Sequence, residues 1–413
     1  MTMKTLQASL SRRLLLAGGA SWLAGCTTAA QKAPAAAAPG TVTMPFVNGE
    51  RRLAVYPEKR PLIVITSRPP QLETPFEVFN DGLLTPNDAF FVRYHNAGIP
   101  TEIDGDKHVI QIGGNAVGKP YTLTMQQLKS GFKPVELVAV KQCSGNSRGF
   151  FNPRVQGGQS GNGTMGNARW LGVPLKDILA RAEVKNSARQ VTFNGLDTGV
   201  LGGGDFVKAL EVAHATDGEV MVAWQMNGAD LPFLNGYPVA LVVPGYYGTY
   251  WVKHLSDIQV IDNVFNGFWM NPAYRVPDNL CVCVPPGTAP SATRPIGRYN
   301  VRSFITSLKD GDRVAAGQAL SVRGIAFDGG LGIREVGWSA DGGKTWREAQ
   351  LGSDSAGRYS FREFSFGFVP AAGTHDLRVR AWNRKGDSQP MEALWQPTGY
   401  MRNVVESYKV TGA

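Results

Sequence analysis

Cysteine is scarce in this sequence: 413 residues hold four, Cys26, Cys143, Cys281 and Cys283. That is too few for a disulfide scaffold. Neither C-x-x-C nor C-x-x-C-H occurs, which excludes a covalently attached c-type haem and argues against a four-thiolate zinc site. Long apolar runs are missing too. The run Leu14–Gly25 falls short of the roughly 20 residues that a membrane helix needs, and no other segment reaches that length. Charged residues make up only 18% of the chain, and its 42 Lys and Arg against 33 Asp and Glu are scattered, with no basic stripe or aromatic ladder. Nucleic acid is therefore not the expected partner. The formal charge of +9 suits an anionic small substrate or an acidic partner surface.

What the chain has in quantity is glycine, 49 residues, and proline, 26, in a length sufficient for two domains with their own cores. The first 40 residues read as an export signal and flexible leader. A basic stretch ending in Arg12–Arg13 precedes the apolar run, and an alanine-rich, proline-containing stretch follows it. The arginine pair resembles a twin-arginine signal, the type that carries folded proteins across the membrane, and predicts a soluble periplasmic protein. Leu23-Ala24-Gly25-Cys26 also resembles a lipid-attachment box, so anchoring at Cys26 is the lesser alternative. Lys4, Arg12, Arg13 and Lys32 with no acid lie in this leader, so the remainder carries +5.

Beyond the leader, PLIVI, FFVRYH and HVIQIGG are short apolar or alternating runs cut by Pro, Gly and Asn, as strands would be. TLTMQQLKSG predicts a short helix capped by Thr122 or Thr124 and ended by Gly131. PLKDILARAEV predicts another, with Leu175, Ile178, Leu179 and Ala182 on one face. Residues 41–290 thus read as a mixed α and β domain, which places the chain in the α+β class. Cys281 and Cys283 in NLCVCVPPG either form a bridge or stay free, in a linker holding Pro285, Pro286, Pro290 and Pro295. Residues 291–413 read as a β-sandwich, with alternating strands separated by DGG and KG turns. Trp338, Trp346 and Trp382 are expected to be core or strand-packing residues.

Cys143 stands apart from this frame. In KQCSGNSRG it sits among small polar residues and Arg148, whereas an inert cysteine packs among apolar neighbours. Positive charge and backbone donors favour a thiolate, either as a metal ligand or as a nucleophile, and Gly145 and Gly149 permit tight loop geometry. A single cysteine leaves an inert thiol as the competing reading.

Several motifs together carry a resemblance that decides between them. FFVRYH at 90–95, QCSGNSR at 142–148, MGNARWLGVPLKDIL at 165–179, GLD at 195–197, QMNGADLP at 225–232, VVPGYYG at 242–248 and WVKHL at 251–255 resemble the molybdenum domain of the sulfite oxidase family. NVRSFI, EVGWSADGGKTW and LRVRAWN resemble that family's immunoglobulin-like dimerisation domain.

The resemblance implies molybdenum held by Cys143 and one molybdopterin, and no haem in this chain. It assigns Arg93 and Arg148 to the substrate anion, where guanidinium groups make strong bidentate contacts. Tyr274, nineteen residues beyond Leu255, would hydrogen-bond the reacting centre, with His95 supporting it. Phe91, Val92, Arg93, Tyr94, His95, Asp197, Asn235, Trp251, Val252 and Lys253 would contact the cofactor, Lys253 through its terminal phosphate. Asn235 and Ala240 stand where vertebrate relatives carry histidine and arginine, so the phosphate clamp differs. The implied reaction is oxidation of sulfite to sulfate in a homodimer, with electrons passed to an external c-type cytochrome. A sulfane dehydrogenase subunit, acting on carrier-bound sulfane sulfur, is the rival.

Overall fold

Strand rather than helix organises the protein, whose computed structural model describes residues 40–44, 49–199 and 204–413. The expected export signal, with Arg12, Arg13 and Cys26, lies outside the described residues. Among the described residues the α-helices are short: Met125–Ser130, Leu175–Arg181 and Val212–Ala215. The molybdenum-domain region is therefore more strand-rich than the mixed reading implied, because its apolar runs are cut by Gly and Pro before a helix can extend. Both expected helices form. Thr124, not Thr122, caps the first: its hydroxyl accepts from the Gln127 N–H and the Gln127 side chain accepts from the Thr124 N–H, both at 3.1 Å. Gly131 ends it. In the second, Leu175, Ile178 and Leu179 are buried on one face, with Ala182 just beyond its end.

Three sheets build the larger, N-terminal region. The first runs in chain order through Thr41–Thr43, Glu50–Ala54, Leu62–Ser67, Pro70–Glu73 and Val92–Arg93. The second has the order Lys208–Glu211, Gln190–Gly195, Leu255–Ile261, Val109–Gly113, Tyr121–Thr124, with a parallel pairing of Asp257 with Gln111 at its centre. In the third, Val135–Gln142 pairs antiparallel with Met165–Pro174 over eight positions, closing at Gln142 opposite Met165. Met221–Met226 continues that sheet. Trp170, Phe193, Leu241 and Ile258 are fully buried between these layers, each contributing about 1.5–3 kcal/mol by leaving water.

The C-terminal region is a pair of sheets around one core. Arg302–Ile305, Leu320–Phe327, Arg362–Phe368 and Gln350–Leu351 form one sheet. Arg313–Val314, Ser407–Gly412, Gly373–Asn383, Ile333–Ser339 and Arg347–Glu348 form the other. Val322, Phe364 and Phe366 from the first meet Val336, Trp338 and Val379 from the second. Trp338 stacks on Phe366 with ring centroids 4.4 Å apart, and Trp346 and Trp382 pack over Gly337. All three tryptophans have the strand-packing role expected of them. In the linker, Arg275–Pro277 pairs with Thr293–Pro295, and Cys281 and Cys283 form a disulfide.

Candidate active site

Four chain segments end around one cavity. Cys143 emerges where the Val135–Gln142 strand stops, and Arg93 lies at the end of the first sheet. Asp197 follows Gln190–Gly195, while Trp251 and Lys253 precede Leu255–Ile261. Gly195 is required for this convergence, since a Cβ there would collide with the Lys253 carbonyl oxygen. The lining is Phe91, Arg93, His95, Lys141, Cys143, Ser144, Asp197, Phe206, Leu234, Asn235, Gly248, Thr249, Trp251, Lys253 and Tyr274.

Not every residue assigned to the site from sequence lines this cavity. Phe91, Arg93 and His95 do, but Val92 and Tyr94 pack with Leu62 and Leu72 on the opposite side. Extended backbone sends successive side chains to opposite faces, so a motif of five residues offers only three to one cavity. The same alternation presents Trp251 and Lys253 and buries Val252 in the main core. Arg148 is also off the lining: its guanidinium lies 4.9 Å over the Tyr400 ring, and its Nε is buried without a partner. Asn235 lines the cavity with its amide committed, since Oδ1 accepts from Lys59 Nζ at 2.5 Å and Nδ2 donates to the Phe91 carbonyl at 3.0 Å.

Basic side chains outnumber acidic ones on the lining. Arg93, Lys141 and Lys253 bring positive charge to the cavity, and Asp197 is the acid on its lining. Burial lowers Lys141 to about 8. Burial, and then the neighbouring Lys141 charge, push Lys253 well below the ordinary lysine value. Lys253 donates to the Arg93 carbonyl, and its Nζ sits 3.4 Å over the Tyr94 ring. Tyr94 in turn is held by His254. His254 Nδ1 must donate to the Tyr237 carbonyl at 2.5 Å, so its Nε2 accepts from the Tyr94 hydroxyl at 2.6 Å.

His95 and Tyr274 share a hydrogen bond on the opposite wall. The imidazole is stacked on Phe206 at 3.8 Å and edged by Trp269 at 5.0 Å. Burial, with Arg93 beside it, holds its pKa well below the usual histidine value, so it is neutral at physiological pH. Burial raises the Tyr274 phenol above its ordinary value, which keeps it protonated. Tyr274 has a φ of 56°, an uncommon conformation for a bulky side chain that costs on the order of 1–3 kcal/mol. The His95 bond and a stack on Tyr400 hold it there.

Residues 96–269 match the oxidoreductase molybdopterin binding domain family, and residues 293–411 match the Mo-co oxidoreductase dimerisation domain family. The chain is 30% identical over 388 residues to the sulfite oxidase of Arabidopsis thaliana, spanning 87% of this chain and 96% of that protein. The chain belongs to the sulfite oxidase family. Within the sulfite oxidase family, the mitochondrial sulfite oxidase of Rattus norvegicus is 33% identical over 305 residues, 71% of this chain; the match spans about half, 54%, of the rat protein. The crystal structure of the sulfane dehydrogenase SoxCD from Paracoccus pantotrophus superposes with a TM-score of 0.71 at 26% identity, covering 83% of this chain and 84% of that one.

The cavity fits the cofactor of the sulfite oxidase family. Among the described residues Cys143 is the free thiol, and it stands on the lining. Lys141 and Lys253 stand on the same lining, and the hydroxyls of Ser144 and Thr249 are buried there without protein partners. Unpaired buried hydroxyls cost free energy unless a ligand satisfies them. Lys141, Ser144, Phe206, Leu234 and Thr249 were not singled out from sequence. Lys141 was legible in principle, because it lies two positions before Cys143 and a strand points both the same way.

Proposed function

We propose that this protein is a molybdenum-dependent sulfite dehydrogenase that oxidises sulfite to sulfate in the periplasm and passes two electrons to an external c-type cytochrome. The observation that carries the reading is the cavity in which Cys143 stands with Arg93, Lys141, Lys253 and Tyr274. When bound, molybdopterin with its metal supplies the two-electron and oxygen-transfer chemistry. Cys143, as thiolate, would hold the metal, and Lys141 and Lys253 would meet the phosphate of the pterin. Bound anions would favour the charged forms of both lysines over their desolvated neutral forms.

Arg93 orients the substrate oxyanion. Its own carbonyl is tied to Lys253 and its guanidinium to the Tyr94 carbonyl, so the side chain is fixed before substrate arrives. Tyr274 presents a protonated phenol whose direction is set by neutral His95, and Phe206 and Trp269 enclose the imidazole in an apolar wall. The two-sheet C-terminal region would act as an immunoglobulin-like homodimerisation module, a reading supported by the dimerisation family it matches. Export rests on the twin arginines and the leader composition.

Sulfite-dependent reduction of cytochrome c by the molybdenum-loaded protein, with ferricyanide as a second acceptor, tests the proposal. Turnover with free sulfite that is lost in Arg93→Met supports it. The likeness to the sulfane dehydrogenase favours a second reading, in which the substrate is sulfane sulfur on a carrier protein. Full cofactor loading without turnover of free sulfite would move the protein to that reading.

A further inference from the structure

Tyr400 belongs to the C-terminal region, 126 residues beyond Tyr274, yet their rings stack at 5.2 Å with planes 6° apart. The same Tyr400 ring carries the Arg148 guanidinium 4.9 Å away, and the charge of that arginine acts on the Tyr400 hydroxyl. The segment is anchored on both sides of this contact. Met401 N–H donates to the Ser144 carbonyl at 3.1 Å, one residue from Cys143, and the Gln396 amide donates to the Tyr400 carbonyl at 2.7 Å. Gly399, at φ 62°, brings the chain so close that a Cβ would press on Val155 and on the Arg148 side chain. Around Arg148, Gly145 and Gly157 leave just enough room for the guanidinium.

We propose that Tyr400 is a positioning residue for the anion end of the active site, holding both Arg148 and Tyr274, so that the C-terminal region completes a site built mainly by the first three sheets. The inference rests on the reading of this cavity as an oxyanion site. Arg148 Nε has no partner and the Tyr400 ring is the aromatic face against its guanidinium, so removing that ring withdraws a contact that sets its rotamer. Tyr274, held in an uncommon backbone conformation, loses its stacking support if the Tyr400 ring is removed.

Tyr400→Phe and Tyr400→Leu in the full, molybdenum-loaded chain separate the two contacts. Sulfate affinity, read by calorimetry, and KM and kcat for sulfite are compared with the wild type, alongside molybdenum content and melting temperature. Tyr400→Phe keeps the stack and removes the hydroxyl on which the Arg148 charge acts; the expected loss is roughly three- to tenfold in sulfate affinity, with KM rising more than kcat falls. Tyr400→Leu is expected to lose more than about tenfold in sulfate affinity and to lower kcat as well. Should the leucine variant fail to fold, the phenylalanine variant decides alone. Sulfate affinity within twofold of the wild type in a fully loaded variant overturns the proposal, as does a wild type that takes up no sulfate. A wild type that binds sulfate but does not oxidise free sulfite sinks the sulfite reading and leaves the Tyr400 comparison decisive.

Discussion

The guanidinium of Arg302 donates to the hydroxyl of Ser147 at 3.0 Å, joining a strand of the C-terminal region to the loop that begins at Cys143. Ser147 has a φ of 68°, and its hydroxyl also reaches the Asn162 side chain at 2.5 Å. Arg302 is fully buried and paired with Glu406 at 3.1 Å, and Glu406 is shared with Arg402 at 2.5 Å. Burial lowers Arg302 to about 10, so it stays charged at neutral pH. Removing one member of a buried pair leaves the other uncompensated, at a cost of about 3–5 kcal/mol. Because Arg402 remains beside Glu406, Arg302→Met is expected to cost about 3 kcal/mol in urea unfolding and to lower molybdenum retention. Unchanged stability and retention would show that the contact joins the two regions without supporting the loop.

Glu73 supports the same loop from the other side. Its carboxylate accepts from the N–H groups of Gly161 and Gly163, both at 2.8 Å, inside a fully buried site. Gly161 and the neighbouring Thr164 then receive the N–H groups of Ser147 at 2.7 Å and Cys143 at 2.9 Å. In Glu73→Gln one oxygen is replaced by an NH₂ that faces a backbone donor, so one N–H loses its acceptor. The expected cost is about 1–3 kcal/mol, with faster amide hydrogen exchange at Ser147 and Cys143 than at the remote Trp338 strand. Uniform exchange across both regions would place the effect elsewhere.

Much of this arrangement was legible in sequence because it depends on short-range pattern. The helix at Thr124 follows from its capping box, and the sandwich tryptophans follow from strand alternation. The cavity set at Phe91, Arg93, His95, Trp251 and Lys253 also obeys alternation, and the side chains of Val92, Tyr94 and Val252 between them pack into the core. Tyr400, Arg302 and Glu73 were not legible. Their partners lie 126, 155 and 88 residues away, and no local period links them. Asn235 lines the cavity, and its amide partners, Lys59 and Phe91, are likewise remote in sequence.

Arg93 gives the most direct test of the anion site. A hydrogen bond to a charged group contributes about 1.5–3 kcal/mol, which corresponds to roughly 10- to 150-fold in binding. Arg93→Met is therefore expected to raise KM for sulfite and weaken sulfate inhibition by that factor, with molybdenum content retained. Arg93→Lys should recover only a fraction, because an ammonium cannot make the planar two-donor contact. Full recovery by lysine would show that charge alone is required.

Lys208 carries the clearest dependence on pH. It is fully buried, donates to the Trp269 carbonyl at 2.5 Å, and lies 4.7 and 4.9 Å over the rings of Tyr250 and Tyr274. Burial lowers its pKa to about 7 from the ordinary 10.5. Below pH 7 both the folded and the unfolded chain hold the proton, and the folded state bears the whole penalty of a buried charge. Between pH 7 and 10.5 the unfolded chain keeps a proton that the folded chain has released, so stability rises with pH by up to about 1.4 kcal/mol per unit. Lys59, also lowered to about 7, and Lys141, lowered to about 8, add slopes of the same sign in overlapping windows. Lys208→Met removes one of these contributions. The stability difference between wild type and variant, measured by urea unfolding, is therefore expected to shift in favour of the wild type from pH 7 to pH 9. Parallel curves would mean that Lys208 keeps its charge when folded, with the two tyrosine rings and the Trp269 carbonyl compensating its burial.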